Sequence, residues 1–475
     1  MQNILNFTPR AHTAALLCML VFSSAAFAQS SSAPKPDPMA DMPGMQMDHK
    51  PAPQQPQPAA QPAAQAETMP GMNMGPTATD PFIQSILDHA TSGTSAEPDS
   101  TPMNMLMSQR KGWMLMLHGV AFVDDQQQTG PRGADKLFST NWIMPMVQRQ
   151  FGRGTLTLRT MLSLEPATVT GRYYPLLFQQ GETAYGNPIV DGQHPHNFFM
   201  ELAALYDLKL GEHGLLSFYA APAGDPAIGP TAFPHRASAS EDPVAALGHH
   251  QMDSTHIAFN VLTAGITYRI ARIEFSGFHG QEPNEHRWQL YGSSNGLAVD
   301  SYSTRITLNP TRNWSGQYSI ARIVSPEALY PHDDQQRQTA SAMYSRALAR
   351  GNWDSSIVWG RTRSLADNGK QNSYLAESTL HFADRNAVWT RIENTSRTNE
   401  LLLRPGTALP PGFQEVPLAH VQAYSFGYDR DIYSKHHASF APGIQVTAFN
   451  TPSVLQPIYG AHPVGVEMFV RIRIR

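Results

Sequence analysis

The chain has 475 residues, 15% of them charged, and a formal net charge of −4. That balance excludes a polybasic nucleic-acid surface. Beyond residue 28 no apolar stretch reaches the roughly 18 residues of a membrane-spanning helix, so a membrane location requires a closed β-barrel.

Residues 1–28 read as a secretory signal. Arg10 supplies positive charge, and the apolar run 14–21 is too short to span a bilayer. Ala26-Phe27-Ala28 is a small-x-small cleavage site. Cys18, the single cysteine, lies inside the apolar run rather than at its end. Lipidation is therefore not expected, and the mature chain carries no disulfide and no thiolate ligand.

Residues 29–110 form an arm rich in Met, Pro, Ala, Gln and Ser, and the stretch 51–65 contains no charge. Such a segment buries too little apolar surface to offset its ordering entropy, which predicts disorder, extended where proline is dense. Phe82, Ile83, Ile86 and Leu87 permit one short helix over 81–89, because they share a face.

The arm repeats a methionine motif. Asp41-Met42-Pro43-Gly44-Met45-Gln46-Met47-Asp48-His49 is echoed by Met69-Pro70-Gly71-Met72-Asn73-Met74, and Met103-Asn104-Met105-Leu106-Met107 follows nearer the body. Thioether sulfur is a soft ligand that favours Cu(I), and imidazole suits copper generally. An arm without a core gives these side chains no packing role. Met42, Met45, Met47 and His49, and Met69, Met72 and Met74, are thus candidate ligands for copper or silver. The bland alternative is composition drift, which two near-copies of Met-Pro-Gly-Met-x-Met oppose.

From residue 111 to 475 the texture is all-β. Sixteen period-two runs are expected near 112–123, 138–150, 154–164, 197–209, 214–222, 256–270, 272–280, 301–310, 312–323, 338–349, 352–362, 372–383, 386–397, 419–432, 435–449 and 464–474. Thr155, Thr157, Arg159 and Ser163 oppose Leu156, Leu158, Leu162 and Leu164. Phe198, Met200, Leu202, Ala204, Tyr206 and Leu208 form the apolar face of the next run. The lengths fit the 9–11 residues of a membrane strand. Connections alternate between short turns and long loops, the layout of a transmembrane antiparallel barrel of the outer membrane, with both barrel ends and the arm in the periplasm. Arg159, Glu201, Asp207, Glu274, Arg305, Glu377, Arg391, Glu393, Glu467 and Arg471 are assigned to the lumen, where charge avoids the lipid. Trp113, Trp142, Tyr206, Trp314, Trp353, Trp359 and Trp389 fit an interfacial girdle.

A cleaved signal, a Met-Pro-Gly-Met and Met-Asp-His arm, and a C-terminal barrel together resemble outer-membrane proteins of the copper resistance protein B type. The resemblance covers architecture and arm. It implies copper tolerance: binding copper, or conducting it across the outer membrane, with lipid, metal ions and periplasmic copper proteins as partners.

The loops offer a second metal region. His194 and His196 close one long loop, and His235, His249, His250 and His256 crowd the next, with Glu241, Asp242 and Asp253 among them. Imidazole with carboxylate suits Zn(II), Cu(II) or Ni(II). No spacing matches a named motif, and polar loops carry histidine for ordinary reasons. Catalysis is not expected. Ser293-Ser294-Asn295-Gly296 resembles the Ser-Asn-Gly piece of outer-membrane phospholipases, but Gly292 stands where the general-base histidine belongs. Three readings remain: a copper-handling barrel, a general or substrate-specific porin, and a lipolytic barrel.

Overall fold

The computed structural model describes residues 80–253, 258–290, 298–435 and 437–474. The chain divides after Asn73 into two units, and the barrel belongs to the second. The signal and the first two methionine motifs lie outside the described residues.

Sixteen antiparallel strands form the ring. In chain order they are β1 (Trp113–Gln128), β2 (Lys136–Phe151), β3 (Gly154–Leu162), β4 (Phe199–Leu210), β5 (Gly214–Gly224), β6 (Ala258–Tyr268), β7 (Ala271–His279), β8 (Ser301–Thr311), β9 (Trp314–Ile323), β10 (Gln335–Leu348), β11 (Gly351–Ser364), β12 (Lys370–Phe382), β13 (Asn386–Thr398), β14 (Pro417–Arg430), β15 (Ala438–Asn450) and β16 (Val464–Ile474). Each pairs with the next, and β16 closes on β1 from Gly119↔Ile474 to Gln128↔Gly465. Every expected strand exists. β1 runs further than its apolar alternation, because the polar stretch 124–128 still pairs with β16. The strand Leu106–Arg110 adds to β1 just beyond the end of β16, with Leu106 opposite Leu117.

The barrel is apolar outside and charged inside, as lipid demands. Leu262, Phe275, Ile357, Phe426 and Met468 face outward and are at least half exposed, whereas all ten lumen-assigned charged residues are buried. Glycine is required at the β10–β11 turn: Gly351 has φ +150°, and a Cβ there would lie 1.9 Å from the His381 carbonyl oxygen.

Three expectations are corrected. Residues 80–110 of the arm are ordered. Helix α1 (Pro81–Asp88) buries Phe82, Ile83, Ile86 and Leu87 against Leu215 of β5. Behind it, the Arg159 guanidinium donates to the carbonyls of Thr91 (2.6 Å), His89 (3.3 Å) and Gly93, while pairing with Glu201 at 2.8 Å. Composition sees no receptor for such a segment, and the receptor is the barrel wall. Trp142 and Trp389 are not girdle residues. Trp389 is buried in the lumen against Phe122 and Phe469, and its indole donates to Gln445 at 2.5 Å. Trp142 packs beside His118 and His235. Lastly, Met200 turns inward, because the register slips between the pairs Met161↔Glu201 and Leu162↔Phe199.

Replacing Arg159 with Met leaves Glu201 buried without its cation, at an expected cost of about 3–5 kcal/mol. The readouts are a lower unfolding temperature in detergent and new protease cleavage within residues 80–105. An unchanged cleavage pattern would show that Arg159 does not hold the segment.

Candidate metal centre in a plugged lumen

Chain segments fill the lumen from both rims. From the short-turn rim comes the stretch 80–105. Its Asp80 meets His213, and His89 meets Asp207 at 2.8 Å. It then crosses to Arg305, which donates to Thr94 Oγ1, and to Asn309, which donates to the Glu97 carbonyl.

From the long-loop rim descends the loop after β5. Its Arg236 is 1% exposed and pairs with Glu377 of β12 at 2.6 Å and with Asp253 at 3.0 Å. Glu241 receives Arg471 and Arg473 of β16 at 2.6 Å each, and His381 at 2.7 Å. Burial disfavours the Glu241 charge, but Arg471 and Arg473 more than offset it and hold the carboxyl well below its usual range. Asp242 meets Arg391 of β13 at 3.0 Å. The loop is thereby fastened to β12, β13 and β16. A buried ion pair contributes little net stability, yet losing one partner is costly, so such pairs fix position more than they add free energy.

The long loop between β3 and β4 also folds in, as a hairpin of Tyr174–Ala184 with Asn187–Gln193. Phe178 stacks on Tyr459 with centroids 4.3 Å apart, and Arg397 donates to the Phe178 carbonyl and the Gln179 side chain.

Where hairpin and plug meet, three imidazoles converge. His194 follows the hairpin, while His249 and His250 open the helical turn His249–Met252. One ligand nitrogen from each lies within 4.8 Å of the others. His194 Nε2 is 3.0 Å from Glu182 Oε1, and Arg287 also pairs with Glu182. His249 Nε2 lies 3.0 Å from Gln193 Oε1. His250 Nε2 is buried with no hydrogen-bond partner among the described residues. Gly181, with φ +106°, leaves room for the His250 ring.

The electrostatics keep these donors ready. Burial, and then His194, push the His250 imidazole down to about 3, so it stays neutral with a free lone pair. Burial opposes ionisation of Glu182, but Arg287 and His194 outweigh it and keep the carboxylate charged. Imidazoles with one carboxylate form a competent set for Zn(II), Cu(II) or Ni(II).

The expected histidines divide. His194, His249 and His250 come together. His196 does not join them; its Nδ1 is 2.9 Å from Glu165 Oε1, because the chain turns at Pro195. His235 points elsewhere, with Nε2 3.3 Å from Met161 Sδ. His256, the motif 293–296, Met42, Met45, Met47, His49, Met69, Met72 and Met74 lie outside the described residues. Glu241 and Asp242 bind arginines instead of joining the histidines, whereas Asp253 pairs with Arg236 and also lies 3.9 Å from His249 Nδ1. Glu182 gave no sequence signal, since the hairpin that brings it to His194 has little alternation.

No protein-family model and no curated protein matches the chain. Among solved structures it is similar to an anion-selective porin from Comamonas acidovorans, at 10% identity over 76% of this chain and 99% of that one, with a TM-score of 0.46. It is also similar to OprB of Pseudomonas putida, at 9% identity over 77% and 94%, with a TM-score of 0.47. A third is Salmonella typhi OmpF in complex with daunomycin, at 11% identity over 77% and 100%, with a TM-score of 0.46.

In planar bilayers the intact chain is expected to show little ionic conductance. A variant with residues 226–252 replaced by a short Gly-Ser linker is expected to open stepwise channels. Equal conductance from both would show that the plug does not seal the bore.

Proposed function

We propose that this chain is an outer-membrane barrel of metal tolerance that holds copper, or a closely similar transition metal, in a closed lumen. The observation that carries the reading is the convergence of His194, His249 and His250 beside Glu182, inside a bore plugged from both rims. A sieve for small solutes needs open water along its axis. Here the axis is occupied by chain segments tied to the walls through buried arginines. The methionine motifs of residues 41–49 and 69–74 fit the same reading, as soft-ligand collectors on the periplasmic side. Periplasmic copper proteins are then the natural donors of the metal.

The competing reading is a substrate-specific porin. It draws on the barrel architecture alone and requires the loop after β5 to leave the bore during transport.

Calorimetric titration of the detergent-purified full chain with Cu(II) and Zn(II) tests the proposal. One lumenal site is expected. The double variant His249→Gln/His250→Gln should weaken it by at least about 100-fold, the upper range seen for lost supporting partners of metal ligands. Equal affinity in the variant and the intact chain would remove the histidine centre, and conductance of small solutes by the intact chain would then favour the porin.

A further inference from the structure

The lumenal wall holds a second donor cluster that neither the loop histidines nor the arm accounts for. Of the twelve methionines between residues 80 and 474, eight gather at one place. Met116, Met144, Met146, Met161 and Met200 are buried there, with Met105, Met107 and Met114 packed against them. Register explains the gathering. On β1, Met114, Met116 and His118 share the inward phase, and across the β1–β2 ladder Met116 faces Met146 while His118 faces Met144. The third methionine motif of the arm delivers Met105 and Met107 to the same spot through the short strand on β1.

Ordinary packing is a poor account of this. Elsewhere the inner wall is largely Ser, Thr, Glu and Arg, and its other apolar patches use Phe122, Trp389 and Phe469, or Leu205, Val261 and Phe278, without methionine. A lumenal patch needing apolar bulk would be filled as well by leucine, whose shape is better defined. Methionine differs from leucine in having a soft, polarisable sulfur.

Imidazoles and an indole complete the cluster. His235 reaches it from the plug loop, with Nε2 3.3 Å from Met161 Sδ. Its ring lies 4.2 Å from that of Trp142 and 5.4 Å from that of His118, centroid to centroid. His118 is 8% exposed, and its Nε2 has no hydrogen-bond partner among the described residues. A cavity of about 180 Å³ opens beside both rings and is also lined by Met103 and Met105.

We propose that these thioethers, with His118 and His235, form a lumenal site for a soft monovalent cation, Cu(I) or Ag(I). Uncharged sulfur and imidazole suit such an ion, whereas hard divalent cations prefer oxygen anions; the cavity also has Asp88, Glu97, Asp99 and Asp354 in its lining, but the groups packed together in the cluster itself are thioethers and rings. The Trp142 face adds attraction for a cation. The site deepens the metal-handling reading but stands apart from the histidine centre, since it lies nearer the short-turn rim and takes a different class of ion.

Ag(I) titration of the detergent-purified full chain, followed by tryptophan fluorescence, tests the site. Residues 29–79, which hold the first two methionine motifs, contain no tryptophan, so Trp142→Phe separates the lumenal site from binding there. Saturable quenching is expected, and it should largely vanish in Trp142→Phe. Met144→Leu/Met161→Leu keeps the packing volume and should weaken the binding by about 10–100-fold, as should His235→Gln. His249→Gln/His250→Gln should leave it unchanged, and Zn(II) should not compete. Loss of divalent binding with retained Ag(I) quenching would sink the histidine centre alone. Absence of quenching, or quenching of equal affinity in the methionine and His235 variants, would overturn this site.

Discussion

Inside a bilayer every backbone N–H and C=O must find its partner in the protein, and here the ladder between β1 and β16 completes that pairing. Once the ring is closed, period-two alternation leaves each strand two environments. Leu, Ile and Phe take the lipid, and charged residues along the middle of the spanning strands are driven inward, while Arg322, Arg346 and Arg430 stay exposed near strand ends. The lumen therefore collects charge as a consequence of closure, before any function is considered.

Filling that lumen with chain removes water from those charges. Arg159, Arg236, Arg397 and Arg471 are among the largest fully buried side chains. Each is met by a carboxylate or by carbonyl oxygens: Glu201, Glu377 with Asp253, the Phe178 carbonyl, and Asp429 with Glu241. Arg305 ties the two plugs together, donating to Thr94 of the N-terminal segment and to the Gly229 carbonyl of the loop after β5, while pairing with Glu274 of the wall. The plugs are thus seated against each other as well as against the barrel.

Seating the loop also seats its donors. Arg236 anchors the stretch beside His235, Glu241 anchors its middle, and the Arg236–Asp253 pair fixes the end that follows His249 and His250. One loop so presents a histidine to the methionine wall and two more to the hairpin. Ligand geometry fixed by surrounding polar contacts is what tight metal binding requires.

The sequence by itself determined the ring. Strand number, inward and outward phase and the alternation of turns with loops all follow from a period of two and from the cost of about 2–4 kcal/mol for an Arg or Lys facing lipid. It also marked His194, His249 and His250 as ligand candidates, and Phe82, Ile83, Ile86 and Leu87 as one face. Tertiary structure alone decided the rest. A loop has no periodicity, so nothing local joins His194 to His249, sends His196 to Glu165, or sends His235 to Met161. The seat of α1 and the gathering of methionines depend on cross-strand register and on a receiving surface built by distant strands. Those contacts are long-range, and they exist only once the barrel has closed.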